Sequence, residues 1–199
     1  MKPILFNAEM VCAVRSDQKT ATRRVIKPQP RPHQNIEKDG DTFRYCGAGE
    51  CKPPCLPGDV LYVRETWALQ MGIYWHKAGL VVDKNGRDAH GTEVPQKWRP
   101  SIHMPKEAAR IFLRVTDVRA EQLQDISPVG LRMEGIRAPQ ADEWGCEMSP
   151  EVMTRFEFER IWDTTIKKKD IDHFGWEANP WVWVIEFERI SREEAMSEK

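Results

Sequence analysis

The chain has 199 residues, 40% of them hydrophobic, enough to bury one sizeable core. Its formal charge of −1 excludes the strongly basic balance of a protein that coats nucleic acid, and no apolar run approaches the roughly 20 residues that span a bilayer. The N-terminus lacks the basic-then-apolar pattern of a secretion signal, so the expected compartment is the cytoplasm.

In chain order, Pro3-Ile4-Leu5-Phe6 reads as a short strand, and Asn7 as the N-cap of a helix carrying Met10, Val11 and Val14. That helix is expected to stop near Ser16-Asp17. Lys19-Thr20-Ala21-Thr22-Arg23-Arg24 follows in a turn leading into a strand at 24–26. Six Lys or Arg residues against one Asp between Arg15 and Arg31 give this region a local excess of five positive charges. An amine three residues before a hydroxyl, Lys19 before Thr22, can act on it as a base, and Arg24 can hold a phosphate or carbonyl in its fork. A solvated basic turn is the bland alternative. Thr20 and Arg23 are expected to face away from Lys19, Thr22 and Arg24.

Residues 28–57 carry prolines at 28, 30, 32, 53, 54 and 57 and read as an insertion or long loop. Cys46, Cys51 and Cys55 fall there. Their spacing lacks the paired C-x-x-C of a zinc site, so loop thiols are expected rather than a metal centre completed by Cys12, Cys146 or His33. Gly58-Asp59 marks a turn before a strand over 60–68, on which Leu61, Val63, Glu65 and Trp67 share a face. A carboxylate on such a face is either paired with a cation or has a chemical role. Further strands are expected at 73–78, 109–118 and 180–187, with an extended segment at 98–105. Ser127-Pro128 opens a short helix stopped by Gly135, and Ser149-Pro150 opens a longer one whose end is complemented by Lys167-Lys168-Lys169. Residues 191–199 read as a polar tail. Short strands with few helices predict an α+β fold, a small mixed β-barrel decorated with helices and loop insertions. A single domain over 1–190, with insertions near 28–57 and 136–150, is expected.

Lys19-x-x-Thr22-x-Arg24, Gly58-Asp59, Glu134-Gly135 and the closing strand 183–187 together resemble the ASCH family, whose members have a PUA-like β-barrel. The longer phage and prophage members are resembled in particular, through Val63-Arg64-Glu65-Thr66-Trp67, the segment 98–105 and Asn179-Pro180-Trp181-Val182-Trp183. One bacterial branch of that family is an amidohydrolase that deacetylates N4-acetylcytidine with a Lys, a Thr and a Glu. The resemblance implies Lys19, Thr22 and Glu134 as catalytic residues; Arg24, Arg64, Glu65 and Trp67 are the candidate substrate-binding residues, Trp67 by stacking on a base, with plain barrel core as the alternative. No metal or organic cofactor is implied. The implied partner is a modified nucleoside or single-stranded RNA, and a non-catalytic RNA-binding module or a ribonuclease using the same basic cleft are the alternatives. Where the family has a leading Gly this chain has Asp17, a residue that tolerates left-handed backbone. Glu134 would sit in the last turn of its helix, where the dipole disfavours its charge.

Overall fold

The computed structural model describes residues 1–31, 33–40, 42–46, 48–136 and 149–197. Strand β1 (Lys2–Leu5) leads into helix α1 (Ala8–Arg15), then β2 (Ala21–Val25), β3 (Ile36–Asp39), β4 (Thr42–Tyr45) and β5 (Ala48–Cys51). Next come β6 (Val60–Arg64), β7 (Trp67–Gln70), β8 (Ile73–His76) and the long β9 (Phe112–Gln122). Helices α2 (Pro128–Met133), α3 (Pro150–Thr165) and α4 (Ile171–Phe174) precede β10 (Trp181–Ile190) and α5 (Arg192–Ser197). The fold is mixed α+β with several sheets, and among the described residues no closed barrel is present. No helix among them is long and apolar enough to cross a membrane. The insertion expected near 136–150 and the candidate ligand Cys146 fall largely or wholly outside the described residues.

Two compact units are present: residues 1–17, 59–114 and 188–199 form the first, and 18–58 and 115–187 the second. In the first, β1 runs parallel to β6, which pairs antiparallel with the start of β9 through Val60↔Arg114 and Tyr62↔Phe112. The side chain of Asn7 accepts the Met10 N–H at 2.8 Å, so the expected cap opens α1, whose Val11 and Val14 are buried. The strand expected over 60–68 is interrupted at Glu65-Thr66. The interruption changes the face that follows: Trp67 joins Val60 and Tyr62 in one apolar cluster rather than continuing the Leu61–Val63 side. Segment 98–105 is not extended throughout, since Ser101–His103 forms a 3-10 turn. The expected polar tail is helix α5. Ser191 Oγ accepts the Glu194 N–H at 3.1 Å while the Glu194 carboxylate accepts the Ser191 N–H at 2.8 Å, a reciprocal cap, and Ala195 is buried in the cluster around Trp67.

In the second unit the strand order is β9-β10-β2, with β2 antiparallel to β10 through Val25↔Val182 to Ala21↔Glu186. β2 begins at Ala21, so Thr22 and Arg23 are strand residues rather than part of a turn. The expected loop over 28–57 contains the antiparallel sheet β3-β4-β5. Its strands are short and mostly polar; Phe43 and Cys51 are buried, Phe43 packing edge-on against Trp183 at 4.7 Å. Ser127 and Ser149 cap α2 and α3, each followed by Pro at the first position. Both helices press Leu131, Phe158 and Trp162 onto Val182 and Val184 of β10, together with Trp176. Helix α3 ends at Thr165 and Ile166 is already extended, so Lys167–Lys169 lie beyond it and do not cap its dipole.

Candidate functional site

Helix α1 ends at Arg15 with Ser16 as its C-cap, and Asp17 turns the chain with φ +56°, the left-handed conformation that Asp tolerates. The next residues are fixed by backbone. The Thr20 N–H donates to Met133 O at 2.8 Å, the Phe187 N–H donates to Thr20 O at 2.8 Å, and Lys19 makes an antiparallel bridge with Glu134. Helix α2 is short because Gly135 follows it at φ +79°, which leaves Glu134 as its C-cap, its N–H bonded to Gly130 O at 3.0 Å. The two side chains therefore meet although 115 residues separate them.

Lys19 Nζ donates to Glu134 Oε2 and, at 3.1 Å, to the Glu134 carbonyl oxygen. The pair is closed off: the Lys19 side chain is 1% exposed and that of Glu134 5%. Arg23 takes the other carboxylate oxygen, Nη1 lying 3.1 Å from Oε1, while its Nε and Nη2 donate to Glu121 Oε1 at 3.0 and 2.7 Å. Glu121 is in turn held by Arg119 Nε at 3.4 Å, and Arg119 also pairs with Glu186 and Asp117. Burial pushes the Lys19 amine below its ordinary value of 10.5, opposed by the Glu134 charge and hydrogen bond and assisted by Arg24 and Arg23. Burial likewise lowers the Arg24 guanidinium, with Glu134 acting against it. One carboxylate thus faces three cationic side chains, two of which, Lys19 and Arg24, burial pushes below their ordinary values. Such an amine is chemically suited to serve as a base.

Among the seven residues singled out by sequence, Lys19, Thr22, Arg24 and Glu134 belong to the second unit. Lys19, Arg24 and Glu134 interact. Thr22 is buried on β2 opposite Ile185. Arg23, expected to face away from Lys19, is instead a direct partner of Glu134; residues 19 and 23 are an even number apart and so share a side of the extended segment. Ala21, Thr22 and Arg23 are all buried, so β2 is covered on both faces and alternation along it does not separate interior from exterior. No spacing in the sequence pointed to Glu121.

Arg64, Glu65 and Trp67 belong to the first unit. Both oxygens of Glu65, whose side chain is 1% exposed, are taken by Arg110 Nε and Nη2 at 2.8 Å each, the bidentate form of an ion pair. Trp67 is buried, with the Arg99 guanidinium 5.0 Å from its ring and Tyr74 tilted against it at 5.9 Å, so its indole is already packed. Arg64 donates to Ile102 O at 3.1 Å and lies 5.5 Å from the Tyr62 ring. A cavity of about 430 Å³ in the second unit is lined by Gln18, Leu131, Arg132, Gly135, Ile136 and Thr154, and so by the chain neighbours of Lys19 and Glu134.

Among the described residues no group of three or more His, Cys, Asp or Glu is placed to hold a metal ion. Cys12, Cys46, Cys51 and Cys55 are not joined in disulfides. Burial pushes the Cys51 thiol up, a hydrogen bond from Tyr45 opposing it, so it is held in the inert form.

No protein-family model matches the chain, and no curated protein matches it. A solved structure of a protein from Enterococcus faecalis V583, described with the family model DUF984, is 10% identical with a TM-score of 0.41, covering 96% of this chain and 82% of that one. A likeness this distant establishes neither family nor activity.

Proposed function

We propose that the protein is a PUA-like, ASCH-type hydrolase of carbon-nitrogen amide bonds, acting on an N4-acylated cytidine or a related modified nucleobase. The observation that carries this reading is the meeting of Lys19 and Glu134 in a nearly solvent-free pair whose burial lowers the amine. Lys19, unprotonated, takes the proton of Thr22 or of a water as that oxygen attacks the acyl carbonyl. Arg24 stabilises the negative charge developing on the carbonyl oxygen. Glu134, hydrogen-bonded to Lys19, relays the proton to the departing exocyclic nitrogen as the carbon-nitrogen bond breaks. If Thr22 is the nucleophile, water then cleaves the acyl-threonine. In either case one water is consumed, and the products are cytidine and the carboxylic acid. The cavity bounded by Gln18 and Gly135 is the route we assign to the acyl group.

The test is incubation of the protein with N4-acetylcytidine, following cytidine release by chromatography. Release that disappears in Lys19→Ala and falls at least about 100-fold in Glu134→Gln, the scale of one general acid-base group, is expected. A second reading, a non-catalytic RNA-binding module, is favoured by Lys167–Lys169, an exposed run with no helix end to complement. It predicts intact N4-acetylcytidine beside single-stranded RNA binding that weakens with salt and survives Glu134→Gln.

A further inference from the structure

We propose that Arg23 and Glu121 are positioning residues that orient the Glu134 carboxylate and set how firmly it holds the Lys19 amine. This rests on reading Lys19 and Glu134 as the reacting pair. Glu134 has two carboxylate oxygens, and each has a different cation: Oε2 accepts from Lys19 and Oε1 from Arg23. A carboxylate gripped at one oxygen only can swing about its terminal torsion; one gripped at both is fixed in plane. Arg23 holds that plane because its other edge is clamped, Nε and Nη2 converging on a single oxygen of Glu121. Glu121 is steadied by Arg119, which is itself paired with Glu186 and Asp117. The approach is tight. A Cβ at Gly130 of α2 would stand 2.9 Å from Arg23 Nη2, so the glycine leaves the guanidinium its place.

The charges acting on Lys19 include Glu134 at the end of α2 and Arg23 and Arg24 on β2, and Glu121 on β9 lies behind Arg23. Arg23 opposes the proton on Lys19, and Glu121 offsets Arg23. Removing either partner therefore shifts Lys19 in opposite directions. Glu121→Gln leaves Arg23 uncompensated and makes Lys19 more acidic; Arg23→Gln removes a positive neighbour and makes Lys19 less acidic.

The experiment follows the 13Cε resonance of Lys19 in lysine-labelled protein from pH 6 to 11, assigned by its loss in Lys19→Arg. The expected result is a midpoint lowered by about one pH unit in Glu121→Gln and raised by about one in Arg23→Gln, the scale of a neighbouring charge. Arg23→Lys, which keeps the charge, returns the midpoint towards wild type but not the catalytic rate, because an ammonium cannot grip Glu134 and Glu121 together. Unchanged midpoints in variants whose circular dichroism and unfolding match wild type would overturn the proposal. Should Arg23→Gln fail to fold, Glu121→Gln decides alone, since its carboxylate is partly exposed and its amide is nearly isosteric. No substrate enters the titration itself, only the rate comparison for Arg23→Lys. Shifted midpoints with intact N4-acetylcytidine would defeat the hydrolase reading and leave the positioning intact.

Discussion

At the residue scale, the site is an exercise in buried charge. Taking an ammonium out of water is costly, and the Lys19–Glu134 contact offsets that cost only in part, which is why burial remains the larger influence on the amine. The sign of the stability effect follows. Because the folded protein holds the Lys19 proton less tightly than the unfolded chain, the unfolded chain binds more protons between the lowered midpoint and 10.5, and stability rises with pH across that window. Lys19→Met removes this contribution. The difference in urea-unfolding free energy between wild type and variant is therefore expected to move in favour of wild type as pH rises, with a slope of at most about 1.4 kcal/mol per pH unit. A flat difference would show that Lys19 keeps an ordinary affinity for its proton. Glu65 is the contrasting case. Its bidentate contact with Arg110 makes it a structural ion pair, so Arg110→Met, which strands a buried carboxylate, is expected to cost about 3 kcal/mol in thermal or urea unfolding. An unchanged stability would reopen a binding role for Glu65. Lys19 and Glu134 were legible as a pair through their motifs, while Arg23 was not: alternation decides sides only on a strand with one wet face, and β2 has none.

At the element scale, helix boundaries were the most readable feature, because caps are local chemistry. Asn7, Ser127 and Ser149 each accept the backbone N–H three residues on, and Gly135 stops α2 in left-handed backbone. The same chemistry at Ser191-x-x-Glu194 opens α5, where composition alone reads as a polar tail. The β3-β4-β5 sheet was hidden for another reason. Its strands carry little apolar alternation, and its anchor, Phe43 against Trp183, is a contact between residues 140 apart that no local window contains. Gly130 shows how tightly α2 is fitted to the site. Alanine there would gain about 1 kcal/mol of helix propensity yet crowd Arg23 Nη2 at 2.9 Å and Ile126 Cγ1 at 3.1 Å. Weakening a charge-assisted bond costs about 1.5–3 kcal/mol, so Gly130→Ala is expected to be destabilising by about 1 kcal/mol in urea unfolding. A net gain in stability would mean that Arg23 relaxes freely and does not depend on this approach.

At the scale of the whole molecule, a formal charge of −1 conceals a strongly organised interior in the second unit. Lys19, Arg23, Arg24 and Arg119 face Glu134, Glu121, Glu186 and Asp117, four cations against four carboxylates, running from a solvent-free pair to a part-exposed rim. Composition predicts the neutrality of such a network but not its connectivity, which depends on β2, β9, β10 and α2 converging from distant parts of the chain. Buried ion pairs of this kind add little to stability compared with apolar packing of similar volume, although removing one partner is costly. The most direct measurement is the rate of cytidine release from N4-acetylcytidine by wild type and Glu134→Gln under identical conditions. The account predicts turnover by wild type and a loss of at least about 100-fold in the variant. No release by wild type, or equal release by both proteins, would contradict it.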